Sequence, residues 1–443
     1  PAGAMAGRAA RHAHQLSCFT CCIEPAEPRF ACPKIICKVI KNLMTELTSL
    51  RHIPHANLYR KGDVFVLFGE LFGRGYVNGL IDEARAAGMT IVGITVGRRD
   101  EEGKLRALTA EEHAEAEEKL GGRIINVPLM AGFDMDAPEG EKNPTELLSG
   151  ITLKSWQEDK LDWAAIERCR EAGIKRFTTS VAQVMQEIDK LIPDGANAFF
   201  AHTMAGGIPK VKAFLAIAKR IYKGRGERFM SSRALLDSDL GKLILMNFDE
   251  VTANTLQHLI TGSAAIRERL ERAGGQVRYT AYGYHGTEIL IDGKYQWQTY
   301  TNYTQGYAKM RLESVAKAAW QQGVAATVFN CPEIRTNSSD IFVGVELSLF
   351  PLLDALKKEG GGAWADEQWK ICQGLLEDGV SLQDLLDRIA TYNGDATSVQ
   401  FRNFAAWPMD NTPELADVMI GTSDDITKLH KDRKELITDH LSS

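Results

Sequence analysis

The stretch Val64-Phe65-Val66-Leu67-Phe68-Gly69-Glu70-Leu71-Phe72-Gly73-Arg74-Gly75 decides how the rest of the chain is read. Five apolar residues, four of them β-branched or aromatic, make a buried strand. Three glycines follow in a G-x-x-x-G-x-G pattern, and Val77, Leu80, Ile81, Ala84 and Ala87 then recur at helical spacing up to Gly88. Strand, glycine turn and amphipathic helix are what a dinucleotide phosphate site requires. Glycine permits positive φ and close backbone approach, and the free N–H groups of a helix N-terminus face the pyrophosphate. The pattern places phosphates near Gly69, Gly73 and Gly75. Met89 to Val96 reads as the next buried strand and completes a β-α-β unit.

Outward from this unit, the end of the second strand reads Val96-Gly97-Arg98-Arg99-Asp100. A carboxylate here bonds the adenosine ribose hydroxyls of NADH, and a basic residue accepts the 2′-phosphate of NADPH. Arg98 and Arg99 come first, so the sequence favours NADPH, with NADH kept open by Asp100; both arginines also read as plain solvated loop charges. Leu108 to Leu120 is an acidic helix with a solvated face. Arg123 to Leu129 is a third strand, and the loop Met130 to Asp136 lies where such folds cover the adenine. Asp134 or Asp136 could bond the adenine amine there, or cap the loop.

Pro138 to Lys160 reads as an irregular insertion, Leu161 to Ala172 as a short helix and Thr178 to Leu191 as a longer one. Asn197 to His202 is the fourth strand. Thr203-Met204-Ala205-Gly206-Gly207 follows, small enough at Thr203 and Ala205 to run close to a cofactor's ribose and nicotinamide. His202 reads as a packed histidine ahead of a catalytic one. Residues from about 208 to 275 form a mainly helical insertion suited to shaping a substrate pocket. Gln276 to Tyr282 and Val324 to Asn330 are the fifth and sixth strands, and Asp340 to Glu359 is an apolar helix. Beyond Gly360-Gly361-Gly362 the chain reads as a helical C-terminal appendage, with Asp424-Asp425 capping a last helix from Ile426.

The 443 residues, 44% hydrophobic and 25% charged, suit a large globular core. A net charge of −6 without a basic run argues against a nucleic-acid partner. No apolar run is long enough for a membrane span. Five of the eight cysteines lie in the first 37 residues. Cys18, Cys21, Cys32 and Cys37 could hold zinc, but the segment lacks hydrophobic periodicity and Met44 looks like a normal start. Residues 1–43 are read as a tag, leader or upstream read-through, with no metal site. The scattered remaining thiols suit a reducing compartment, and the expected location is cytoplasmic.

The richest chemistry lies at the carboxyl end of the fifth strand: Tyr282-Gly283-Tyr284-His285-Gly286-Thr287-Glu288-Ile289, then Tyr300-Thr301-Asn302-Tyr303-Thr304-Gln305-Gly306-Tyr307-Ala308-Lys309. Ligands bind at that edge of a doubly wound sheet. A phenol donates to a carbonyl oxygen as negative charge develops on it, and an ammonium lowers the phenol pKa and bonds the cofactor ribose. The plainer reading is an aromatic core patch.

These residues resemble the short-chain dehydrogenase/reductase superfamily and, within it, the divergent single-chain trans-2-enoyl thioester reductases. That group carries G-x-x-x-G-x-G after its first strand, a Tyr-Ile-Gly-x-Glu segment, and Tyr-x8-Lys leading through glycine and Ala-Lys into a helix. Here stand Tyr284-His285-Gly286-Thr287-Glu288 and Tyr300-x8-Lys309, with Gly306 and Ala308-Lys309 in register. Pro332-Glu333-Ile334-Arg335-Thr336 is similar to the Pro-Ile-Arg-Thr nicotinamide loop with one residue inserted. The likeness covers roughly Asp63 to Gly360. The spacing from Tyr284 to Tyr300 is longer than in the family, with a hairpin at Ile291-Asp292-Gly293-Lys294, so Tyr295 and Tyr303 remain rivals to Tyr300.

The resemblance implies a Rossmann-like reductase, residues 44–360, with the appendage at 361–443. It would use NADPH or NADH to reduce the 2,3 double bond of a trans-2-enoyl thioester, carried on acyl carrier protein or CoA, in fatty-acid metabolism. Tyr284 or Tyr300 would stabilise the enolate, Lys309 would bind the nicotinamide ribose, and Ile334 and Thr336 would hold the carboxamide. The alternatives are a carbonyl reductase or alcohol dehydrogenase of the same superfamily and a non-catalytic NADPH sensor. A homo-oligomer is left open.

Overall fold

The computed structural model describes residues 59–69, 76–206, 212–283, 287–291, 294–298, 305–330, 344–358, 362–400 and 411–437, all within one compact unit, Thr48–Ser443. The cysteine-rich segment 1–43 lies outside the described residues.

Six strands form one sheet: β1 (Val64–Phe68), β2 (Thr90–Val96), β3 (Arg123–Leu129), β4 (Ala198–His202), β5 (Val277–Gly283) and β6 (Ala326–Asn330). All its pairings are parallel. The order is β3-β2-β1-β4-β5-β6, so the winding direction reverses between β1 and β4, where doubly wound sheets open a ligand crevice. Successive side chains of β1 supply opposite layers. Val64, Val66 and Phe68 join an apolar cluster with Phe177, Val181 and Val184. Phe65 and Leu67 join another with Val77, Ile81 and Ala84. The architecture is a Rossmann-like parallel sheet with helical insertions and a helical C-terminal region.

The longer helices are α1 (Tyr76–Ala86), α2 (Ala110–Leu120), α3 (Trp163–Asp189), α4 (Lys212–Lys223), α5 (Asp239–Phe248), α6 (Asn254–Gly262), α7 (Ala264–Arg272), α8 (Gly306–Gln321), α9 (Val345–Lys358), α10 (Gly362–Gly374), α11 (Leu382–Gly394) and α12 (Pro413–Lys428). The two helices expected at 161–172 and 178–191 are in fact one, α3. Gly173 does not break it, because the glycine is needed for packing. A Cβ there would stand 2.7 Å from Phe133 Cβ and 3.0 Å from Gly132 O, so the loop after β3 docks against the bare backbone. Asp424 and Asp425 do not start the last helix either. α12 begins at Pro413 with Thr412 as its cap, the Thr412 hydroxyl accepting from Leu415 N at 3.2 Å. Asp424 and Asp425 fall in its final turns. There Asp425 pairs with Lys428 at 2.9 Å.

Polar groups pin the amino edge of the sheet. Buried Asp63 accepts from Asn197 N at 2.9 Å, from Asn197 Nδ2 at 3.0 Å and from Arg60 N at 2.9 Å. Asn197 Oδ1 accepts from Gln276 N at 2.9 Å. This fixes β1, β4 and β5 relative to one another and leaves the opposite, carboxyl edge for a ligand. α9 packs with α10, α11 and α12 around Leu347, Phe350, Leu385 and Met419. No described helix is long and apolar enough to cross a membrane.

Candidate active site

The carboxyl ends of three strands are flush. Phe68 stands opposite His202, and His202 opposite Ala281. At this edge Gly69 adopts φ +150°, and Thr203 N donates to Phe68 O at 2.9 Å. A Cβ on Gly69 would overlap the Thr203 hydroxyl and approach Thr203 C to 3.0 Å and Met204 N to 3.1 Å. The first glycine of the motif is thus required by closeness to the β4 exit, as well as by any phosphate. Thr203 is buried, and its Oγ1 has no hydrogen-bond partner among the described residues. A hydroxyl buried without a partner is costly, and a dinucleotide running through the switch point would satisfy it. Ala205, by contrast, is exposed on the same segment. Gly73 and Gly75 lie outside the described residues.

Lys309 enters from α8. It is only 6% exposed, and its Nζ donates to Tyr282 O of β5 at 2.8 Å. One register step away, His202 is fully enclosed. Its Nε2 lies 2.7 Å from Thr255 Oγ1, which is itself 2.7 Å from Val251 O. A helical threonine gives its proton to the carbonyl one turn back, so Nε2–H is the donor to Thr255. Burial, helped by the positive charge of Lys309, pushes the imidazole down to about 3. His202 is therefore a neutral packed group, as expected, and no source of protons near neutral pH.

What supports this arrangement has no local sequence signal. α5 and α6 are one rod interrupted by a π-helical turn, Asp249–Ala253, a distortion that frequently marks functional sites. The turn packs against α8, which carries Lys309. Asp249 lies 3.3 Å from Arg311 of α8, and burial pushes its carboxyl up to about 6.

At the end of β2 the arginines differ. Arg98 and Arg99 form a short antiparallel pairing with Leu105 and Arg106. Arg99 Nη1 donates to Gly103 O at 2.7 Å. Asp100 Oδ1 accepts from Glu102 N at 3.0 Å and Lys104 N at 2.7 Å, so Asp100 is engaged in its own turn. Arg98 is exposed. In the loop after β3, Asp136 is held by Arg176 at 2.6 Å, and Arg176 also reaches Gly132 O at 3.1 Å. Asp136 therefore locks the loop, and Asp134 is half-buried in the same loop.

Tyr284, Tyr300, Tyr303, Ile334 and Thr336 lie outside the described residues. The expected hairpin is present between them. Thr287–Ile291 pairs antiparallel with Lys294–Gln298, Ile291 standing opposite Lys294 and Tyr295 opposite Leu290.

A switch-point crevice, an orphan hydroxyl and a buried lysine at one sheet edge suit a nicotinamide dinucleotide. The sequence model of the family described as enoyl-acyl carrier protein reductase FabMG matches residues 46–443. The chain belongs to that family. It is similar to a solved apo structure of FabMG, described as a novel type of enoyl-acyl carrier protein reductase, with 75% identity, TM-score 0.86, and 89% of each chain covered. A second solved FabMG structure, described as NADH-bound, is 62% identical with TM-score 0.69, covering 89% of this chain and 88% of that one. No curated protein sequence matches. As a FabMG-family member the chain is an oxidoreductase that reduces the 2,3 double bond of an enoyl thioester in fatty-acid metabolism, and its family substrate is carried on acyl carrier protein.

Proposed function

We propose that this FabMG-family enzyme is a Tyr-x8-Lys enoyl reductase, with Lys309 and a neighbouring tyrosine as its catalytic pair. The observation that carries the reading is the buried Lys309 ammonium, held at the carboxyl end of β5 by Tyr282 O, beside the β4 exit. The reduced nicotinamide, when bound, supplies hydride to the β-carbon. Tyr300, with Tyr284, Tyr295 and Tyr303 as rivals, donates a hydrogen bond to the thioester oxygen as enolate charge develops. Lys309 lowers that phenol's pKa and bonds the nicotinamide ribose. Gly69, Gly73 and Gly75 take the pyrophosphate, Thr203 and Ala205 line the ribose side, and Asp134 faces the adenine. Ile334 and Thr336 hold the carboxamide.

The relative that holds NADH supports NADH as a coenzyme here. Arg98 and Arg99 are the cations at the end of β2 suited to a 2′-phosphate, and NADPH is accepted there beside NADH. Residues 44–360 form the reductase body with its insertion at about 208–275, residues 361–443 brace it, and the enzyme works in the cytoplasm.

Incubation with 4-deuterated NADH and a trans-2-enoyl-acyl carrier protein, followed by mass spectrometry of the product, tests the reading. Deuterium at the β-carbon of a saturated acyl chain is expected. Reduction only of a 3-ketoacyl substrate, or cofactor binding without turnover, would overturn it.

A further inference from the structure

Residues 210–233 hold eight lysines and arginines against a single acid, Glu227, in a chain whose net charge is −6. This basic stretch is built on α4, the first helix after β4. The inner face of α4 is apolar: Phe214, Ile217, Ala218, Ile221 and Tyr222 share one buried cluster with Ala308, the neighbour of Lys309. One side of the helix is thus part of the wall behind the site. The other side faces solvent. Leu215 is 47% exposed, Lys219 stands one turn on from it, and Arg220 is exposed beside Lys219. Arg228 is exposed in the tight turn Gly226–Arg228 that follows the helix. Arg225, between them, is tied to α12 by Asp417 at 2.9 Å and Asp424 at 3.7 Å, which holds the turn in place.

A basic amphipathic helix can also be a membrane-surface element. Here its apolar face is buried in the protein, so it has nothing to insert into lipid. An exposed leucine with Lys219 one turn on from it, on a helix and following turn rich in exposed cations, instead suits a soluble acidic protein with a small apolar contact.

We propose that the outer face of α4, with Leu215, Lys219, Arg220 and the Arg228 turn, docks the acyl carrier protein. The proposal rests on the enoyl reductase reading, because it requires a carrier-borne substrate. Acidic side chains of the carrier meet the cations, and its apolar contact covers Leu215. The tethered thioester then needs to pass only from one face of α4 to the other side of the same wall. Long-range attraction of this kind raises the encounter rate and is screened by salt.

The test compares one trans-2-enoyl group on acyl carrier protein with the same group on N-acetylcysteamine, an uncharged carrier-free thioester. In a variant carrying Lys219→Glu, Arg220→Glu and Arg228→Glu, kcat/KM for the carrier substrate is expected to fall by about tenfold or more, as for rim charges that steer association. The value for the N-acetylcysteamine thioester should change by less than about twofold, since no steering of a charged partner is involved. Added salt should lower the wild-type rate on the carrier substrate alone. If the triple variant does not fold, Arg228→Glu by itself, on an exposed turn, should still show a smaller loss confined to the carrier substrate. Equal losses on both substrates, or no loss on the carrier substrate, would overturn the docking surface. A wild-type enzyme inactive on both thioesters would instead sink the enoyl reductase reading beneath it.

Discussion

Gly69 and Thr203 compete for one volume: the Cβ that any other residue would place at position 69 overlaps the Thr203 hydroxyl. This contact joins the first residue after β1 to the first after β4, on the two sides of the point where the sheet reverses. Alanine at position 69 would have to displace backbone, since Thr203 C and Met204 N lie 3.0 and 3.1 Å from the added carbon. It would also be strained at φ +150°. Gly69→Ala should cost about 2–4 kcal/mol of stability and raise the Kd for NADH by at least about tenfold. Chemical denaturation and fluorescence titration of the cofactor read the two effects separately.

Arg98 and Arg99 are neighbours in sequence with different duties. Arg99 closes its own turn on Gly103 O at 2.7 Å. As an exposed cation proposed to meet the 2′-phosphate, Arg98 is tested by Arg98→Ala, which should remove most NADPH-dependent turnover and leave NADH-dependent turnover within about twofold, a charge–phosphate contact being worth roughly 1–3 kcal/mol. Arg99→Ala should instead affect both coenzymes alike, through disorder of the turn. Steady-state KM values for the two coenzymes distinguish these outcomes.

His202 makes folding sensitive to acid. Its folded pKa of about 3 lies below the ordinary value of 6.5. The unfolded chain therefore binds the proton more readily. The stability from neutral His202 is fully present above pH ~6.5 and is lost as pH falls toward 3, by up to about 1.4 kcal/mol per pH unit. His202→Gln, which keeps a donor for Thr255, should flatten this dependence. Urea unfolding at neutral and at mildly acidic pH should show a smaller difference for the variant than for the parent.

Much of this fold was legible because its strands are continuous apolar runs bounded by turns, and each of the six expected strands forms. The placement of Gly69 and Lys309 at the carboxyl edge of the sheet was legible because the strand, turn and helix signals around them are local. What escaped was set by contacts distant in sequence. Gly173 looks like a helix break until Phe133 is seen against it. Asp424-Asp425 looks like a cap, although Thr412-Pro413 carries the stronger start signal. The His202–Thr255 bond and the π turn beneath Lys309 leave no periodic trace, because a π turn adds one residue within a pattern that still reads as helix.

Asn411 illustrates the same limit at the C-terminal end. Buried, it accepts from Ser232 N at 2.7 Å and Ser232 Oγ at 3.0 Å, and donates to Ile221 O at 3.0 Å and Met230 O at 3.1 Å. All its side-chain hydrogen-bonding groups are engaged, and they join the start of α12 to the α4 region. Asn411→Leu would strand those four groups. A loss of about 2–4 kcal/mol is expected, with a lowered Tm by calorimetry and a raised KM for acyl substrates. Loss of stability with an unchanged KM would separate α12 from the substrate pocket.

The central claim is that buried Lys309, paired with a tyrosine, positions the cofactor and stabilises the enolate while reduced nicotinamide supplies hydride to an enoyl thioester at the carboxyl edge of this sheet. The most direct measurement is kcat for NADH oxidation with a trans-2-enoyl-acyl carrier protein, in the parent enzyme and in Lys309→Met. A folded Lys309→Met enzyme with kcat lower by about 100-fold or more is the predicted result. A folded variant that retains the parent kcat would contradict the account.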